Sequence, residues 1–189
     1  MKRHVQLASC LLLSAAAAAA QQLPQPSAMH AISTVSLDAL LQEERQLQFH
    51  RFDRDTAAAL GAALVARAKR AGRPVTLEIR QGDEVLFAQA MPGASPDHAD
   101  WIRRKNNLVR RTGHSSFYTH NEVRQAGGDH DALPGLDMRD YAAHGGAYPI
   151  VVRGRGAVGT VTVSGLPGAD DHALVVAALR DHLKIGEQP

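Results

Sequence analysis

Residues 141–167, YAAHGGAYPIVVRGRGAVGTVTVSGLP, constrain the fold most, because two β-branched runs stand either side of a glycine-rich turn. Tyr148 to Val152 is aromatic and β-branched, Arg153-Gly154-Arg155-Gly156 supplies turn residues, and Val158 to Val163 alternates Val with Gly and Thr. Such side chains fit a pleated, half-buried surface, and two such runs around a short turn predict a β-hairpin. Gly145-Gly146 and Gly165 mark backbone that takes positive φ or lies close to another group. His144 stands at the mouth of this hairpin, with Gly145 and Gly146 leaving its ring uncrowded and their N–H groups open to an anion or carbonyl. Its other reading is a ring that fixes the turn by bonding a backbone carbonyl.

The remaining chain supplies elements to cover that hairpin. Ser36 caps a short helix with Leu37, Leu40, Leu41 and Leu47 at helical spacing and Glu43-Glu44-Arg45 on its polar face. Asp53 or Asp55 starts a second helix whose stripe is Ala57, Leu60, Gly61, Leu64, Val65 and Ala68, ending at Gly72 and Pro74. Val75 to Ile79 alternates, Gln81-Gly82-Asp83 turns, and Glu84 to Met91 returns as a second strand. Pro96-Asp97 opens a third helix with Trp101, Ile102, Lys105, Leu108 and Val109 inward, closed by Gly113. Ser115 or Ser116 caps a fourth segment to Arg124, and Ala169-Asp170-Asp171 starts a last helix. The order α-α-β-β-α-α-β-β-α predicts an α+β fold with a single, mainly antiparallel sheet of four to five strands flanked by helices.

With 189 residues the chain is long enough for one core, and the domain is expected over residues 36–185. Net charge of +2 and 4% aromatic residues argue against nucleic acid as a partner. The single cysteine, Cys10, rules out an internal disulfide or a cysteine-based zinc site. Residues 1–20 have the basic start, apolar middle and alanine run of a secretory signal peptide, giving a secreted or periplasmic protein with no membrane span in its mature form. The alternative is translation from Met29 and a cytoplasmic protein. Residues 21–35, with Pro24 and Pro26, read as a disordered linker.

GGAYPI followed by GAVGTVTVSGLPGADDHALVVAAL resembles the C-terminal signature of the haem-degrading, GlcG/HbpS-like superfamily. WIRRKNNLVRRTGHSS is similar to the mid-chain segment of one uncharacterised branch of it, and the resemblance runs from Ser36 to Leu183. It implies a profilin-like sandwich, assembly into a homo-oligomer, and haem or a related tetrapyrrole as ligand, which the protein would bind and degrade.

Beside that resemblance, the residues offer their own candidates. His144 and His114 are possible axial groups, and Arg103, Arg104 and Lys105 form a cationic cluster suited to carboxylates such as propionates. The cluster reads equally as a solvated face or an oligomer contact. Ser115 and Ser116 beside His114 cap a helix more readily than they form a nucleophile pair, since no G-x-S-x-G occurs. Asp170-Asp171-His172 reads as a helix cap, and His98, His120, His130 and His182 read as surface residues, so no metal site is expected. The functions left standing are tetrapyrrole binding, a non-enzymatic oligomeric scaffold, or capture of a small carboxylate at the hairpin mouth.

Overall fold

The computed structural model describes residues 35–185, and the expected signal peptide and nearly all of the expected linker lie outside them. Helix α1, Leu37–Gln46, starts where the Ser36 hydroxyl accepts from the Ala39 N–H at 3.3 Å. Helix α2, Arg54–Arg70, is capped by Asp53 and not Asp55: one Asp53 carboxylate oxygen accepts from both the backbone N–H and the hydroxyl of Thr56. Strands β2, Thr76–Gln81, and β3, Glu84–Ala90, form the first hairpin. Helices α3, His98–Thr112, and α4, Ser116–Gln125, follow, then the second hairpin of β4, Ala147–Val152, and β5, Gly156–Ser164, and finally α5, Gly168–Leu183.

The two hairpins merge because β5 pairs antiparallel with β2 from Thr76↔Ser164 to Gln81↔Gly159. A two-residue strand β1, Gln48–Phe49, joins parallel to β4, which makes one five-stranded mixed sheet of order β1-β4-β5-β2-β3. The fold is therefore α+β, as expected, with one short parallel strand that two residues of sequence cannot announce. β1 pairs only with Val151 and Val152, so no strand pairs with Pro149 on that side and its missing N–H costs no ladder bond.

β5 shows why the sheet is covered on both sides. Val161 and Val163 join Leu60, Leu64, Leu77, Ile150, Val175 and Leu179 in the main core beneath α2 and α5. The alternate residues Thr160, Thr162 and Ser164 are also buried, although polar. The Thr162 hydroxyl bonds Asn106 of α3, so α3 covers this second, polar face of the sheet. Among the described residues no helix is long and apolar enough to cross a membrane.

Candidate functional site

His144 lies where the chain leaves the loop after α4 and enters β4, at the wall of a cleft of about 250 Å³. Trp101 and Lys105 of α3, Gly165 after β5 and Asp171 of α5 also line it. Its position depends on the two glycines that follow. A Cβ on Gly145 would sit 2.1 Å from the Gly168 carbonyl oxygen, and one on Gly146, at φ 117°, would sit 2.4 Å from that of Val163. Both glycines are buried, so they serve close packing against α5 and β5 and not an exposed amide pair, as the sequence had suggested.

The expected cationic cluster on α3 is divided. Lys105 is 2% exposed, and its ammonium donates to Asp171 Oδ2 at 3.0 Å and to the Val163 carbonyl at 3.2 Å. Burial pulls the Lys105 amine down and pushes the Asp171 carboxyl up, while their mutual attraction opposes both shifts. Asp171 also accepts from the Leu166 N–H, so the residue read as a helix cap is instead the buried centre of a network. Arg103 bonds Asp100, Asp140 and the Arg139 carbonyl, which ties α3 to the loop before β4. Arg104 pairs with Asp100, and its guanidinium lies 4.0 Å from the centroid of the Trp101 ring. Lys105 is the only one of the three that reaches the cleft floor.

His144 is half-buried, with Nε2 2.7 Å from Asp131 Oδ1 and its ring edge-on to Trp101 at 5.0 Å. That hydrogen bond holds the Asp131 carboxyl below its usual range. His130 packs 5.2 Å from His144, and His120 packs 4.2 Å from His130, with its Nδ1 2.9 Å from the Ala143 carbonyl. Burial lowers the His120 pKa and favours the neutral ring. His120 and His130, read from sequence as surface residues, are thus half-buried members of one imidazole group.

His114 lies apart from this cleft. Its Nδ1 is 2.8 Å from Glu44 Oε2, while Glu44 Oε1 accepts from the Ser115 N–H at 2.7 Å. Glu44, placed by spacing on the polar face of α1, is consequently buried. Ser115 caps α4 by accepting from the Tyr118 N–H, and the Ser116 hydroxyl accepts from the Ala147 N–H at 3.0 Å. Neither serine has a base beside its hydroxyl among these partners.

A second cleft, of about 780 Å³, lies between α1 and α5 and was not foreseen. Leu40, Phe117 and Val176 provide apolar wall, and Glu43, His172 and Arg180 meet at its side. His172 Nε2 is 3.2 Å from Glu43 Oε1, off hydrogen-bond geometry, and its ring stacks on Phe117 at 4.6 Å. Glu43 Oε1, His172 Nδ1 and Arg180 Nη1 are buried without a hydrogen-bond partner, as is the Tyr148 hydroxyl, whose pKa burial raises. Buried polar atoms are rarely left unsatisfied without cause. The one signal in the sequence was the spacing of four that puts His172, Val176 and Arg180 on one face of a helix.

Residues 52–180 match the family described as "Haem degrading protein HbpS-like". The chain belongs to this HbpS-like family. A UPF0303 protein of Azotobacter vinelandii is 43% identical over 148 residues, covering 78% of this chain and 89% of the relative. The crystal structure of the Ybr137w protein superposes with a TM-score of 0.73 at 28% identity, covering 79% of this chain and 88% of that one. The PduOC:haem complex superposes at 0.59 with 20% identity over 73% and 99%, a likeness of fold. Within the HbpS-like family fold, both clefts of this chain flank α5, one at its amino end and one along its outer face.

Proposed function

We propose that the protein binds haem or a related tetrapyrrole in the α1–α5 cleft and promotes its oxidative degradation. The observation that carries this reading is the size of that cleft. About 780 Å³ falls within the roughly 300–1,000 Å³ of small-molecule sites, whereas the 250 Å³ of the His144 cleft falls below it. The residues present fit such a group in kind. Leu40, Phe117 and Val176 offer apolar contact to a macrocycle, and Arg67 and Arg180, which pair with Asp181 and Glu43 in the structure, would have to exchange those partners for propionates. His172 is the one imidazole among the lining residues; its unpartnered Nδ1 is buried, so the ring would have to turn before that nitrogen could meet iron. Haem, once bound, supplies redox-active iron; the chain's part is to hold the macrocycle and anchor its carboxylates. The family description and the haem complex of a protein of the same fold support the ligand class.

Titration of the full chain with haemin tests this. The expected result is a shifted Soret band, weakened in His172→Ala and in Arg180→Glu but unchanged in His144→Ala. No shift at micromolar protein overturns the reading, and a shift lost only in His144→Ala moves the ligand to the other cleft. Loss of the bound Soret band on adding a reductant and oxygen tests degradation. A homo-oligomer is part of the same proposal, and light scattering of the wild type tests it: a multiple of the single-chain mass is expected, and a single-chain mass would overturn it.

A second reading, capture of a small carboxylate, has its own support at the His144 cleft. Helix α5 begins there at Gly168 with no side-chain cap; the Asp170 and Asp171 N–H groups bond the Pro167 carbonyl, which leaves the Gly168 N–H beside the cleft. Trp101, the one tryptophan of the chain, lines the same space, and its fluorescence should respond to a bound carboxylate and not to chloride.

A further inference from the structure

We propose that His130, Asp131 and His144 form a binding site for a divalent first-row transition ion, a site independent of the tetrapyrrole reading. The three side chains each present a ligand atom, and these atoms lie within 4.8 Å of one another. His144 Nε2 stands 2.7 Å from Asp131 Oδ1, and His130 Nε2 stands 3.7 Å from Asp131 Oδ2. Metal–ligand bonds of about 2.0–2.2 Å give a tetrahedral edge of roughly 3.4 Å, which those two separations bracket. All three ligand atoms lie within 4.8 Å of one another, so an ion between them requires the side chains to draw together.

The composition narrows the ion. Two imidazoles and one carboxylate suit zinc, iron, cobalt, nickel or copper, whereas calcium and magnesium call for oxygen ligands. Three protein ligands leave further coordination positions open, the pattern of sites that exchange water or bind a substrate. His144 is at once a ligand and a wall of the 250 Å³ cleft, so an ion here would border that cleft. Support around the ligands is present as well. The His144 ring is held edge-on to Trp101, and His120 packs against His130. Such neighbours fix the orientation of ligating rings. An Asp–His hydrogen bond alone accounts for the 2.7 Å contact; it does not account for the second imidazole brought to the same carboxylate.

The test is binding of Zn²⁺ and of Co²⁺ to the untagged full chain. Calorimetry should give one zinc per chain with a dissociation constant in the micromolar range or tighter, and cobalt should give visible absorption of low-symmetry coordination. His130→Ala and Asp131→Asn, both on a surface loop, should each weaken zinc at least about tenfold, and His50→Ala, an exposed histidine elsewhere, should leave it unchanged. Absence of the cobalt bands, or zinc affinity that survives both ligand substitutions, overturns the site.

Discussion

Lys105 and Asp171 lie 66 positions apart in the chain and 3.0 Å apart in space, at 2% and 1% exposure. The pair joins α3 to the first turn of α5 across the end of β5 and forms the floor of the His144 cleft. Removing one partner leaves the other charge buried and uncompensated, a loss of about 3–5 kcal/mol. Lys105→Met and Asp171→Leu are each expected to destabilise by that order in urea unfolding. The double variant Lys105→Met, Asp171→Leu should cost less than either, because no charge is stranded, although the Leu166 N–H loses its acceptor. Additive losses would show that the two residues act separately.

Gly145 tolerates no side chain. The oxygen that its Cβ would meet at 2.1 Å is backbone of α5, and Phe117 closes the other side at 3.0 Å. Gly145→Ala should therefore lower stability by at least about 2 kcal/mol, as over-packing of a closed site does. A thermal melt unchanged from wild type would contradict this packing.

Glu44 joins α1 to the start of α4 through His114 and the Ser115 N–H. Glu44→Ala strands a buried donor and should cost about 1–3 kcal/mol, with Glu44→Gln losing less because its amide oxygen still accepts. Equal losses in the two variants would assign the effect to charge and not to the hydrogen bond.

The Asp53 cap gives α2 a pH dependence of known sign. The Thr56 N–H and hydroxyl, with Arg51 adding attraction, hold the Asp53 carboxyl below its ordinary 3.8. A depressed folded value means stability that is present above the unfolded pKa and lost as pH falls through the folded one. Urea midpoints measured from about pH 6 to 2 should fall less steeply in Asp53→Asn, which keeps the acceptor but does not titrate. An acid limb identical to wild type would remove Asp53 from the cause.

The second hairpin was legible because alternation and turn glycines are local signals, and its strands fall at Ala147–Val152 and Gly156–Ser164. The inward place of Lys105 was legible from helical spacing, but its partner was not, because ion pairs between distant elements leave no periodic trace. The same limit hid the α1–α5 cleft, where Glu43 and Arg180 meet across 137 positions. The imidazole group of His120, His130 and His144 went unread for another reason. His130 and Asp131 stand on an irregular loop, and no spacing rule says which way such a loop folds back.

Hydrogen–deuterium exchange of the full chain with and without haemin tests most directly that a tetrapyrrole occupies the α1–α5 cleft. New protection is expected over Leu37–Gln46 and Gly168–Leu183. Protection confined to His98–Thr112 and residues 141–146, or none at saturating haemin, would contradict it.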